Sequence, residues 1–82
     1  MILVDISIPA VNETLDFSLD ENTPVAHVLA EILGMVSKKY NSLDVGDADR
    51  ICLYNMTAEK RINNSRTLSQ QGVMSGSRLM LV

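Results

Sequence analysis

Arg66-Thr67-Leu68-Ser69-Gln70-Gln71-Gly72-Val73-Met74-Ser75-Gly76-Ser77-Arg78-Leu79-Met80-Leu81-Val82 is the stretch whose reading decides the fold. Thr67 and Gln70 stand at the capping-box spacing, where each side chain satisfies the backbone N–H of the other residue. Gly72 supplies the left-handed conformation that stops a single helical turn, and Leu68 and Val73 flank that turn as apolar plugs for a core. Ser75-Gly76-Ser77 then reverses the chain into a last strand. There Leu79 and Leu81 share one face, and Met80 and Val82 share the other.

Before this stretch, Asn55 to Ser65 is polar and weakly periodic, with room for one short strand around Arg61 and Ile62. Arg50-Ile51-Cys52-Leu53-Tyr54 reads as a third strand with Ile51 and Leu53 inward, and Asn41 to Asp49 is a polar connector. Further back, Val25, Val28, Leu29, Ile32 and Val36 recur at helical spacing and make one apolar stripe. Thr23 is the expected N-cap of that helix, with Pro24 at its first position. Lys38 and Lys39 suit its last turn, and Asn41 is the expected left-handed stop, so the helix ends near Tyr40.

The N-terminus alternates with period two. Ile2, Val4, Ile6 and Ile8 lie on one face and Leu3, Asp5 and Ser7 on the other; Pro9 and Ala10 to Glu13 reverse the chain, and Leu15, Phe17 and Leu19 point inward from a second run. The order strand, strand, helix, strand, short strand, strand makes an α+β roll. It has a mixed sheet of four to five strands with one main helix on one face, as a single domain over residues 1–82.

Composition narrows the function classes. Hydrophobic residues make up 46% of the 82-residue chain, enough for a small core. The net charge of −3 argues against nucleic acid or an anionic membrane as the main partner. No apolar run approaches the length of a membrane span, so no direct membrane insertion is expected. The single Cys52 suits a reducing compartment, which makes the cytoplasm the expected location. In that setting Asn12-Glu13-Thr14, Asn55-Met56-Thr57 and Asn63-Asn64-Ser65 fit the glycosylation sequon but read as polar loop residues.

The pairing of Arg66-Thr67-Leu68-Ser69 with Ser77-Arg78-Leu79-Met80-Leu81-Val82 resembles the end of ubiquitin's folded body, and the whole chain resembles the ubiquitin-like β-grasp fold. The Asn55 to Ser65 region is several residues longer than in ubiquitin. Within that superfamily the chain is similar to the YukD and EsaB-like proteins of bacterial type VII secretion systems. That likeness rests on Ile2-Leu3-Val4-Asp5-Ile6-Ser7-Ile8, the Pro24-Val25 helix start, the Arg50-Ile51 strand start and the finish on the last strand. The resemblance implies a cytoplasmic accessory or regulatory protein that binds other secretion-system components. It brings no catalytic residue, cofactor or metal ligand.

The residues agree in offering little chemistry. Ubiquitin-like modifiers and sulfur carriers need an exposed diglycine, whereas the chain given finishes in Leu81-Val82. A modifier or sulfur carrier lacking its tail, and a β-grasp domain excised from a larger membrane component, are the alternative readings. Cys52 and His27 are expected on opposite sides of the sheet, which leaves no nucleophile–base pair. Asp44, Asp47 and Asp49 around Gly46 miss the EF-hand spacing and its final Glu, and read as a solvated loop.

Two surfaces are candidate protein-binding sites. Leu3, Cys52, Tyr54, Met80 and Val82 are expected on the sheet face away from the helix, as one contiguous apolar patch. Ala26, Ala30 and Gly34 fall four apart on the outer side of the helix beside His27, Leu33 and Ser37. Such a smooth stripe would let another helix approach closely, including that of a second copy in a homodimer.

Overall fold

Strand β1 (Ile2–Ile8) buries Val4, Ile6 and Ile8 on one face, and β2 (Glu13–Leu19) buries Phe17 and Leu19 in register with it. A computed structural model of the chain describes residues 1–40 and 51–82. The two strands are antiparallel, with Ile2 opposite Leu19 and Ile8 opposite Glu13, and they are joined by a 3-10 turn over Pro9–Val11. Asn12 closes that turn in the left-handed region at φ 54°, a conformation its short polar side chain tolerates.

Helix α1 (Val25–Lys39) buries Val25, Val28, Leu29, Ile32, Leu33 and Val36. Its start corrects the expected cap. Thr23 turns its hydroxyl to donate to Asp20 Oδ2 at 2.8 Å, Pro24 occupies the N-cap position, and no side chain caps the helix. The orphan N–H groups of Val25 and Ala26 donate instead to the carbonyls of Arg66 (2.9 Å) and Asn64 (3.0 Å). This tertiary cap satisfies the helix end as a capping hydroxyl would. At the other end Tyr40 is the C-cap, while the expected stop at Asn41 and the Asp44, Asp47 and Asp49 loop lie outside the described residues.

Strands β3 (Leu53–Asn55), β4 (Lys60–Arg61) and β5 (Arg78–Leu81) complete a mixed five-stranded sheet in the order β2-β1-β5-β3-β4. Central β5 runs parallel to β1 and antiparallel to β3. The capping box forms as its spacing predicts: Thr67 N–H donates to Gln70 Oε1 at 3.1 Å, and Gln70 N–H donates to Thr67 Oγ1 at 3.2 Å. A 3-10 turn over Ser69–Gln71 follows, closed by Gly72 at φ 75°. Leu68 and Val73 both enter one hydrophobic cluster with the inner faces of β1, β2, β3, β5 and α1. Ile2, Leu15 and Ile51, expected inward, are half-buried and pack against its rim.

Candidate protein-binding surface

The sheet face away from α1 is set by strand alternation around β5. Leu79 and Leu81 point into the core, so Arg78 and Met80 face outward, and Val82 continues the same face beyond the strand. Across from them, Tyr54 is paired with Met80, and Cys52 and Val82 exchange two backbone hydrogen bonds of 2.7 and 2.9 Å. On β1 the residue level with Met80 is Ser7. Met80, Tyr54 and Cys52 are half-buried and Val82 is exposed.

The register divides the expected patch. Leu3 precedes Asp5, and Asp5 is level with Arg78, which is two residues before Met80. A polar row of Asp16, Asp5 and Arg78 therefore runs across the sheet between Leu3 and the Met80 group. Leu3 instead meets the tight turn before β5, accepting from Gly76 N–H at 2.8 Å and donating its own N–H to Ser75 Oγ at 3.2 Å. That turn carries exposed Met74, so this end of the sheet has its own exposed apolar residues in Leu3 and Met74.

The Met80 group gains a member that the sequence reading did not include. Met56 N–H donates to Arg78 carbonyl oxygen at 2.8 Å, so pairing with β5 runs one step beyond β3, and alternation puts Met56 on the outer face with Tyr54. Met56 is 41% exposed. Its signal was present in the continued alternation Cys52, Tyr54, Met56, but the polar Asn55 between them read as the end of the strand. Asn55 is in fact buried at 3% exposure, and its Oδ1 accepts from Ala58 N–H at 3.1 Å to form the turn.

The electrostatics of the polar row are unequal. Asp16 and Asp5 stand directly opposite across β1 and β2. Their shared hydrogen bond, and then the repulsion between the two carboxylates, raise the Asp16 carboxyl above the usual range.

On the helix, Ala26 and Ala30 are exposed and Gly34 is half-buried, as a stripe along the outer side. Leu33 departs from its expected place beside them and is buried in the core at 3% exposure, because it follows Leu29 by one turn on the broad inward face. Among the described residues, a Cβ at Gly34 meets no atom within 4 Å beyond its chain neighbours and the adjoining helix backbone, so packing within the described chain does not require glycine there. His27 is exposed on the helix, and Cys52 lies on the far face of the sheet. Among the described residues no group of three His, Cys, Asp or Glu side chains is gathered at one place, and no helix is long and apolar enough to cross a membrane.

One helix on a five-stranded mixed sheet, with a parallel central pair and a capped turn leading into the middle strand, defines a ubiquitin-like β-grasp protein. The ubiquitin of Caldiarchaeum subterraneum has this fold at a TM-score of 0.71 and 21% identity, covering 98% of this chain and 89% of that one. The N-terminal ubiquitin-like domain of the 4931431F19Rik protein is similar at a TM-score of 0.68 and 27% identity, covering 99% of this chain and 72% of that one. Residues 3–81 match the family described as WXG100 protein secretion system (Wss), protein YukD. The chain belongs to that family, whose members are ubiquitin-like components of the type VII, or WXG100, secretion system and are generally non-catalytic. Among curated proteins, none matches the chain.

Proposed function

We propose that the chain is a non-catalytic interaction module, an accessory or regulatory component that binds other proteins of the WXG100 secretion system in the cytoplasm. The observation that carries this reading is the group Cys52, Tyr54, Met56, Met80 and Val82, adjacent on the outer face of β3 and β5. Water-exposed apolar side chains gain by being covered, and flexible methionines adapt to the surface that covers them. Family membership supplies the class of partner.

Affinity capture of the chain from its native cell, followed by mass spectrometry, tests this. Recovery of a secretion-system protein is expected. Recovery of none, or only of an unrelated assembly, overturns it.

A further inference from the structure

β4 and the turn after it gather positive charge at one edge of the sheet. Lys60, Arg61 and Arg66 are three of only seven Lys and Arg residues in a chain of net charge −3, and all three are exposed. With Asn55, Ile62, Gln70 and Gln71 they line one depression of about 330 Å³. Among the described residues the ion pair formed is that of the Met1 ammonium with Glu21, so none of these three cations is ion-paired with a described carboxylate.

The floor of the depression is fixed by the Gln71 amide. Its Nε2 donates to the carbonyls of Asn63 (2.8 Å) and Thr67 (3.1 Å), and its Oε1 accepts from Asn63 N–H at 2.6 Å. Gln71 thus occupies both backbone groups of Asn63 much as a neighbouring strand would. Ile62 N–H donates to Leu53 carbonyl oxygen at 3.0 Å, and Tyr54 is level with Arg61. In an antiparallel ladder this turns the N–H and C=O of Arg61 away from β3, toward the open edge. The depression therefore offers a short length of edge backbone, ringed by three cations.

Cationic side chains on an edge strand also deter edge-to-edge pairing, which accounts for Lys60 and Arg61. It does not account for Arg66, which belongs to the following loop and adds its charge to the same depression. Charge complementarity selects an acidic ligand. β2 forms the opposite edge of the sheet, and with β1 it carries Asp5, Glu13 and Asp16. A long polyanion such as nucleic acid would extend from the cleft over an acidic molecule, whereas a short acidic segment is confined to the cleft.

We propose that this depression binds an extended acidic peptide segment of a partner protein, its carboxylates meeting Lys60, Arg61 and Arg66. The proposal rests on the reading of the chain as an interaction module. The test is an NMR titration of the isotope-labelled chain with a capped oligoglutamate peptide, beside inorganic phosphate and a single-stranded oligonucleotide of equal charge. Peptide-induced amide shifts are expected at Asn55 and at residues 60–71, not at Cys52 or 80–82. The double variant Arg61→Glu, Arg66→Glu should lose affinity by about tenfold or more, as should the wild type when salt is raised to about 0.15 M. Absence of shifts at 60–71, equal affinity in the variant, saturation by phosphate alone or tighter binding of the oligonucleotide overturns the proposal. If native capture recovers a secretion-system protein while oligoglutamate fails, this site falls and the module reading stands. If oligoglutamate binds while capture recovers none, the assignment of the module's partner to the secretion system falls and the acidic-peptide site stands.

Discussion

Gly34 lies in the interior of α1, in line with Ala26 and Ala30. Glycine in a helix interior costs about 1 kcal/mol relative to alanine, and a Cβ at Gly34 meets open space. Gly34→Ala should therefore stabilise the fold by about 1 kcal/mol, raising the melting temperature by about 4–8 °C for a domain of this size. Thermal unfolding checks this, and an unchanged or lower midpoint would contradict it. A second residue-scale expectation concerns Asp16. Its folded pKa is raised, so the folded chain binds protons more readily than the unfolded one, and the pair's repulsion is relieved as pH falls through the folded value. Asp16→Asn removes that repulsion at neutral pH. The variant should be the more stable at pH 7, with its advantage shrinking as the solution is acidified toward the ordinary carboxylate range near pH 4. Asp20 behaves oppositely. Asn22 N–H at 2.9 Å and then the Thr23 hydroxyl hold its carboxyl below the usual range, so its contribution is full above that range and is lost as pH falls through its lowered pKa. Chemical denaturation of wild type and Asp16→Asn at pH 7 and near pH 4 tests the account, and an advantage that grew on acidification would contradict it.

At the scale of elements, the two helical starts show what local sequence can and cannot reveal. Thr67 and Gln70 are three residues apart and cap each other, so their motif was legible. Thr67→Ala should remove the hydroxyl that accepts from Gln70 N–H, leaving the bond from its own N–H to Gln70 Oε1, and cost about 0.5–2 kcal/mol, measurable as a lower denaturant midpoint. Thr23 carries an equally good local signal, but the carbonyls of Asn64 and Arg66 cap α1 from a distant part of the chain. No local pattern encodes that contact. The strands were legible from alternation, since inward Val4, Ile6, Leu53, Leu79 and Leu81 are all buried. Register was not: the offset that levels Asp5 with Arg78, and so separates Leu3 from Met80, depends on pairing between the chain's two ends. Met56 was missed for a related reason. A buried Asn is rare unless its amide is bonded, and the turn that Asn55 holds through Ala58 becomes evident only in three dimensions.

For the whole molecule, the fold was carried by the order of elements and the capped turn before β5, and the family by the likeness of Ile2 to Ile8, the Pro24-Val25 and Arg50-Ile51 starts and the finish on the last strand; both are shown by structure and comparison. The proposed binding surface consists of apolar side chains that lie together on the outer face around Met80. Met80 is only half-buried and points away from the core, so Met80→Asp should fold with little loss of stability while placing a charge opposite Tyr54. The most direct measurement is the affinity of wild type and Met80→Asp for the secretion-system protein captured from the native cell, with circular dichroism confirming that both are folded. Weakening by about tenfold or more in a folded Met80→Asp is the predicted result; equal affinity of the two folded proteins would contradict the assignment of the β3–β5 face.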